Sequence, residues 1–153
     1  MVRPLLFVDI DGVLNPYEGS CPDGFVEHDL FGDEPVRVCT AHSAWLFELA
    51  ERYDLVWGSS WNEADRAVLG GVLALPAFVG AVALPSGEFD PALKVPAVER
   101  FAAGRALAWI DDLFCPAAWD WSGRRAEPTL LLPTDPAVGL VRAQVDELLA
   151  WSP

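Results

Sequence analysis

Short apolar runs alternate along the chain with longer amphipathic segments. Apolar runs bounded by Gly, Pro and acidic residues are typical of buried strands, and an apolar stripe at helical spacing is typical of helices. The pattern predicts strands over 5–9, 55–57, 79–83, 107–110 and 129–132. It predicts helices over 41–52, 63–74, 96–103 and 136–151, with Thr40 and Asn62 as N-caps of the first two. Residues 16–38 are predicted to form a long loop, in which the alternation at 36–38 indicates a small hairpin.

Strands that alternate with helices are typical of βαβ units, which build a parallel sheet covered by helices on both faces. The 153 residues are enough for one domain that buries most of its apolar surface, and no linker divides them. We therefore expect a single α/β domain over residues 1–153. Ligands of such sheets bind at the carboxyl ends of the strands, so candidate chemistry is sought there.

The composition is that of a globular protein, with 52% hydrophobic and 22% charged residues. A formal net charge of −13 opposes binding along nucleic acid or an anionic membrane, because only 10 basic residues are available. The three cysteines lack a metal-binding spacing and are expected to be reduced and mostly buried. No signal peptide is expected, and Gly and Pro interrupt the uncharged stretch 67–87, which argues against a membrane span. These observations predict a cytoplasmic protein.

The most informative residues are Asp9 and Asp11, which follow the first apolar run directly. Residues two apart in a strand face the same side, so both carboxylates can begin on one face before Gly12 lets the chain turn away. Two carboxylates this close raise each other's pKa unless a cation or a division of roles relieves the repulsion. The pair therefore predicts a site that holds positive charge.

Other strand ends carry polar residues of complementary kinds. Ser59 and Ser60 follow the second predicted strand, Asp111 and Asp112 follow the fourth, and Lys94 lies between them as the only lysine of the chain. Phosphoryl transfer needs positioning and charge neutralisation more than covalent chemistry from the protein. An Mg²⁺ ion prefers hard oxygen ligands, which Asp9, the Ile10 carbonyl and Asp111 can supply.

These residues, in this order, resemble the four motifs of the haloacid dehalogenase (HAD) superfamily of phosphatases. The motifs correspond here to Asp9-x-Asp11-Gly12, Ser59, Lys94 and Asp111-Asp112, and the likeness covers residues 4–151. The resemblance implies a Rossmann-like three-layer α/β/α sandwich with a mainly parallel five-stranded sheet. The segments 16–39 and 84–93, where cap domains are inserted, are too short for one, so the likeness is to the capless type.

The resemblance also implies a role for each residue. Asp9 is expected to take the phosphoryl group as an aspartyl-phosphate, and Asp11 to act as general acid and then general base. Ser59, with Ser60 as the alternative, and Lys94 are expected to bind the phosphate. The implied Mg²⁺ ligands come from Asp9, Ile10, Asp11, Asp111 and Asp112. Because dehalogenases lack the second acid, Asp11 favours a phosphatase or a phosphotransferase.

Three functions remain open from the sequence. The first is hydrolysis of a small-molecule phosphomonoester. The second follows from the pattern of DIDGVLN at 9–15, WxSxW at 57–61, a lone Lys94 and WIDD at 109–112. This pattern resembles the HAD domains of Swiss Army Knife RNA repair systems, which implies a nucleic-acid terminal phosphate as substrate. The third is a regulatory protein that binds a metal or phosphate without catalysis. Residues that select the substrate are expected in 16–38 and 84–93, and the oligomeric state is not predicted.

Several conspicuous side chains have a structural and a functional interpretation. The tryptophans are expected mainly to pack helices on the sheet, although Trp61 can also stack on a base or a sugar. His28 and His42 are predicted to be surface or capping residues. Arg124 and Arg125 are predicted to be an exposed pair, with binding of a second phosphate as the alternative.

Overall fold

The computed structural model describes residues 2–87 and 89–153. Its strands are β1 (Leu5–Val8), β2 (Val26–His28), β3 (Val36–Val38), β4 (Asp54–Trp57), β5 (Gly80–Ala81), β6 (Leu107–Asp111) and β7 (Thr129–Pro133). Its helices are α1 (Ala41–Ala50), α2 (Glu63–Leu73), α3 (Lys94–Ala102), α4 (Pro116–Arg124) and α5 (Arg142–Ala150), and a 3₁₀ turn over Pro91–Leu93 precedes α3. No helix in this part of the chain has the length and apolar character of a membrane span.

Five strands form one parallel sheet in the order β5-β4-β1-β6-β7. The central strand β1 pairs on one side with β4, where Val8 is in register with Trp57. On its other side it pairs with β6, where Val8 is in register with Ile110. The two remaining strands, β2 and β3, form a separate antiparallel hairpin. The predicted α/β class and five-stranded parallel sheet are therefore confirmed.

Alternation of side chains along the strands creates two apolar layers. Leu6 and Val8 of β1 lie in one layer, with buried residues of α1, α2 and α5. Leu5 and Phe7 lie in the other, with buried residues of α3 and α4. Because successive strand residues point to opposite faces, a strand that is apolar throughout must be covered on both sides. The result is the predicted three-layer α/β/α arrangement.

The strand order places the site. The chain runs outward from β1 to β4 and β5, then returns to β6 on the opposite side of β1. The carboxyl ends of β1 and β6 therefore border the point where the order reverses, which is the usual position of a ligand crevice in such sheets. The connections before α1 and α3 hold only the hairpin and the 3₁₀ turn, so no cap domain is inserted in the described residues.

Three element predictions need correction. The last helix begins at Arg142 rather than at residue 136, because Gly139 has a positive φ of 78° and lies against the Val13 carbonyl. Helix α4 was not predicted, although Pro116 stands in its first turn, a position typical of a helix start. Asn62 caps α2 as predicted, accepting from the Asp65 N–H at 2.8 Å, whereas the Thr40 side chain makes no capping hydrogen bond.

Candidate active site

The carboxyl ends of β1 and β6 bring three buried charged side chains together. Asp9 follows β1 and Asp111 ends β6. Lys94 begins α3, the helix that packs on the same face of the sheet as Leu5 and Phe7. The Lys94 Nζ lies 2.7 Å from the Asp111 Oδ2 and 3.2 Å from the Asp9 Oδ2. The sequence therefore predicted correctly that these three residues, which are far apart along the chain, meet at one sheet edge.

Backbone donors fix the two carboxylates further. The Ile10 N–H donates to the Asp9 Oδ1 at 2.8 Å, and the Leu113 N–H donates to the Asp111 Oδ1 at 3.1 Å. Each carboxylate thus uses one oxygen toward the backbone and the other toward Lys94. Charge-assisted hydrogen bonds of this kind hold a carboxylate in one orientation.

One ammonium group does not balance the acids around it. Burial raises the pKa of Asp9 well above its usual value, repulsion from Asp111 adds to this, and Lys94 opposes it. Burial would lower the pKa of Lys94, but attraction to Asp9 and Asp111 outweighs it and raises that pKa. Burial also raises the pKa of Asp112, with repulsion from Asp111 in the same direction. The acids therefore outnumber the single cation, and a further positive charge would stabilise the site.

Asp9, Asp111 and Asp112 can hold a metal ion. Each offers one carboxylate oxygen, and these oxygens lie within 4.8 Å of one another. Three carboxylates and the Lys94 ammonium carry a net charge of −2, which a divalent cation would neutralise. Hard carboxylate oxygens suit a hard divalent cation such as Mg²⁺. The donor set therefore fits the metal that the sequence predicted.

The two other predicted metal ligands, Ile10 and Asp11, are not among the three converging carboxylates. The Ile10 carbonyl accepts three backbone hydrogen bonds, from the N–H groups of Val13, Leu14 and Asn15, at 2.9–3.1 Å. An oxygen with three donors has no lone pair left for a cation, so the prediction for Ile10 is wrong. The Asp11 carboxylate is not among the three acids that converge, so its side chain is not placed as a ligand.

Asp11 is instead held by two side-chain donors. The Asn15 Nδ2 donates to its Oδ1 at 3.0 Å, and the Trp61 Nε1 donates to its Oδ2 at 3.1 Å. Asp9 and Asp11 therefore have different surroundings although they are two residues apart. Asp9 faces Lys94 and the acidic cluster, whereas Asp11 lines the same cleft among neutral donors. Such a difference separates the chemical roles of two neighbouring acids.

Ser59 and Ser60 differ in exposure. Ser59 is buried, and its Oγ accepts the Trp61 N–H at 3.0 Å. Ser60 is exposed and lines the cleft. Ser59 therefore organises the turn after β4, whereas Ser60 makes part of the wall of the cleft. Which of the two binds phosphate stays a prediction.

The site opens into a cleft of about 670 Å³. Its walls include residues from both segments that were expected to select the substrate, namely Tyr17, Phe31, Asp33, Glu34, Pro35, Val36 and Phe89. Tyr17 also donates its hydroxyl hydrogen to the Asp112 Oδ2 at 2.9 Å. No pattern in the sequence indicates this contact or the contact between Asn15 and Asp11, because both depend on how a loop without periodicity folds back on the sheet edge.

The remaining conspicuous residues have structural surroundings. Trp57 stacks on Phe78 with ring centroids 3.7 Å apart, which agrees with a packing role. His42 is fully buried rather than at the surface, with its Nε2 3.0 Å from the Leu140 carbonyl, because that contact joins α1 to the segment before α5. The Arg125 side chain is 3% exposed and pairs with Glu99 at 2.9 Å, so the exposed-pair prediction holds only for Arg124.

No protein-family model and no curated protein sequence matches the chain. Solved structures do match it. The HAD domain of the effector protein Lem4 from Legionella pneumophila, determined as an inactive mutant, has a TM-score of 0.60 and 13% sequence identity, covering 97% of this chain and 92% of that one. A second structure of that domain has a TM-score of 0.59 and 13% identity, covering 96% and 92%. The chain thus has a HAD-like fold, as its motifs predicted.

Proposed function

We propose that this protein is an Mg²⁺-dependent phosphomonoester hydrolase that works through an aspartyl-phosphate on Asp9. The observation that carries the proposal is the placement of Asp9 at the carboxyl end of the central strand. There its carboxylate lies 3.2 Å from the Lys94 Nζ and within an oxygen cluster that can hold a divalent cation. A HAD-like fold with this acidic cluster supports a hydrolase.

Asp9, Asp111 and Asp112 would hold the metal ion. When bound, Mg²⁺ would neutralise carboxylate and phosphate charge and so allow the two anions to approach. Lys94 would add positive charge beside the phosphate, and it is the only cationic side chain among the described residues that line the cleft. Ser59 or Ser60 would donate a hydrogen bond to the phosphate.

The reaction would proceed in two steps. In the first, an Asp9 carboxylate oxygen attacks phosphorus, the bond from phosphorus to the ester oxygen breaks, and Asp11 gives its proton to that oxygen. In the second, Asp11 takes a proton from water as the water oxygen attacks phosphorus. The bond from phosphorus to Asp9 then breaks, which releases inorganic phosphate and restores both carboxyl groups. A phosphotransferase would use an acceptor alcohol instead of water.

The charge of the cleft limits the substrate class. Among the described residues, seven carboxylates and one ammonium line it, the carboxylates being Asp9, Asp11, Asp33, Glu34, Asp65, Asp111 and Asp112. A divalent cation compensates only part of this charge. Further phosphates on a substrate would meet repulsion, because the outer wall offers acids rather than a basic track. This favours a small phosphomonoester with a neutral or cationic alcohol group over a nucleic-acid end.

A phosphatase panel tests the proposal. We would measure phosphate release from 4-nitrophenyl phosphate, alkyl phosphates, nucleoside monophosphates and 5′- or 3′-phosphorylated oligonucleotides, with Mg²⁺ or with EDTA. The proposal predicts Mg²⁺-dependent release from small monoesters and none from the folded Asp9→Asn variant. A preference for oligonucleotide ends would support the nucleic-acid alternative instead. Mg²⁺ binding without hydrolysis of any ester would contradict the proposal and favour a regulatory protein.

A further inference from the structure

We propose that Trp61 is a positioning residue that, together with Asn15, fixes the direction in which the Asp11 carboxylate exchanges its proton. This inference rests on the proposed function for its chemical meaning, although the contact itself can be tested without turnover. It assigns to Trp61 a role other than packing or stacking on a substrate.

The first observation is the division of the Asp11 oxygens between two donors. The indole N–H of Trp61 meets the Oδ2 at 3.1 Å, and the Asn15 amide meets the Oδ1 at 3.0 Å. A carboxylate with one donor on each oxygen cannot turn about its side-chain torsion without losing a hydrogen bond. Proton transfer to a leaving oxygen needs hydrogen-bond geometry, so a fixed carboxylate favours the reaction.

The second observation is that Trp61 is itself held in place. Its backbone N–H donates to the Ser59 Oγ at 3.0 Å, and its carbonyl accepts from the Arg66 side chain at 2.5 Å. Its ring meets Phe31 edge-on, with centroids 5.4 Å apart at 80°. The indole is therefore fixed by the turn after β4, by α2 and by the connection between β2 and β3. A functional side chain reaches a reproducible position when its support is rigid in this way.

Asn15 is supported from the opposite side. Its Oδ1 accepts the backbone N–H of Arg37 in β3 at 2.8 Å, and Asn15 is buried. The Arg37 guanidinium also donates to the carbonyls of Pro16 and Gly19, at 3.1 and 2.7 Å. The β2–β3 hairpin thus ties down the loop that carries Asn15. The Asp11 carboxylate is thus held by Asn15, which the hairpin supports, and by Trp61 of the turn between β4 and α2.

Trp57 and Trp61 differ in what their indole rings contact. Trp57 buries its ring against Phe78, and that stacking does not require an indole N–H to face a carboxylate. Trp61 is only partly buried and directs its single donor to Asp11. Phe at position 61 would keep the ring and remove the donor. The Trp61→Phe variant therefore isolates the hydrogen bond from the packing.

Kinetics provide the first test. Protonation of the leaving oxygen matters for alkyl phosphates and little for 4-nitrophenyl phosphate, and kcat/KM reports this first step without the water-activating second step that both esters share. Trp61→Phe should therefore lower kcat/KM for an alkyl phosphate about tenfold while changing kcat/KM for 4-nitrophenyl phosphate less than about threefold. In an Asp11→Ala background the same substitution should have no further effect, since the residue through which Trp61 acts is absent. Equal losses for both esters, or undiminished losses in the Asp11→Ala background, would overturn the proposal. Trp119→Phe, at an exposed tryptophan outside the cleft, is the matched control.

Indole resonances provide a test that does not depend on turnover. The chain has 7 tryptophans, and the Trp61 indole N–H signal is identified in a ¹⁵N–¹H spectrum by its loss in Trp61→Phe. Asp11→Ala should shift that signal and leave the Trp119 signal in place. An unshifted Trp61 signal would overturn the positioning role. If the wild-type protein hydrolyses no ester while the signal does shift, the proposed function fails and the Trp61–Asp11 contact stands.

Discussion

Gly12 lies against Asp112 so closely that a Cβ on Gly12 would be 2.3 Å from the Asp112 Cγ. The glycine also has a φ of 82°, which side-chain-bearing residues rarely adopt. The turn after the first two acids is therefore shaped so that the acid pair at the end of β6 can approach it. The turn at Gly12 and the acid pair at the end of β6 can lie this close only because glycine has no Cβ.

The Gly12→Ala substitution should weaken divalent-cation binding by at least about tenfold, because the new methyl group displaces the Asp112 carboxylate from the acidic cluster. Gly19→Ala is the matched control, since Gly19 has a φ of 66° but nothing within 4 Å of its Cβ position. It should cost about 1 kcal/mol of stability through backbone strain and leave cation binding unchanged. Calorimetric titration with Mg²⁺ measures both variants. Wild-type Mg²⁺ affinity in folded Gly12→Ala would contradict this account of the turn.

Replacing Lys94 should destabilise the fold, because Asp9 and Asp111 would remain buried without their counter-ion. Removing one partner of a buried ion pair costs on the order of 3 kcal/mol, so Lys94→Gln should lower the free energy of unfolding by about that amount at pH 7 without Mg²⁺. Added Mg²⁺ should restore part of the loss by supplying positive charge. Urea unfolding measures the change, and the exposed Arg142→Gln serves as a control with a small expected effect. Equal stability of Lys94→Gln and wild type would contradict the charge balance proposed for the site.

Protonation of His42 should lower the free energy of unfolding as the pH falls below about 6.5, the ordinary pKa of histidine. Burial lowers the pKa of His42 in the folded protein. As the pH falls, His42 is therefore protonated more readily in the unfolded chain than in the folded protein, and this favours unfolding. Above the unfolded-state pKa both forms are neutral and this penalty is absent. His42→Gln, which can keep a donor toward the Leu140 carbonyl, removes the titration. Urea unfolding between pH 8 and pH 5 should show a smaller decline for His42→Gln than for wild type; parallel declines would refute the assignment.

The sequence predicted the sheet and the charged centre for one physical reason. Apolar strands that end in polar residues bring those residues to one edge whenever the strands are parallel, which is how Asp9 and Asp111 were placed together. Lys94 begins a helix and follows no strand, so its place beside them was expected only from the resemblance of the motifs. The side-chain contacts of Asp11 could not be predicted in this way. They depend on the direction of the Trp61 ring and on the contact of Asn15 with the Arg37 N–H in β3, and neither follows from periodicity.

The errors have equally local causes. The carbonyl of Ile10 was expected to face a cation, but the tight turn made possible by Gly12 directs three N–H groups at it. Helix α5 was predicted too long because the apolar spacing continues through Val138 and Leu140. There the chain instead donates the Leu140 N–H to the Val13 carbonyl at 2.8 Å and supports the turn that carries the acids.

The central claim is that Asp9 carries the phosphoryl group during turnover. The most direct measurement is to mix the protein with Mg²⁺ and 4-nitrophenyl phosphate, whose departure needs little help from Asp11, quench with acid within the first turnover, and locate added phosphoryl mass by peptide mass spectrometry. The phosphoryl group is expected on Asp9, and in greater amount in Asp11→Asn, where water is activated slowly. The Asp9→Asn protein should carry no phosphoryl group. Steady turnover with no phosphoryl group on Asp9, or with one on another residue, would contradict it.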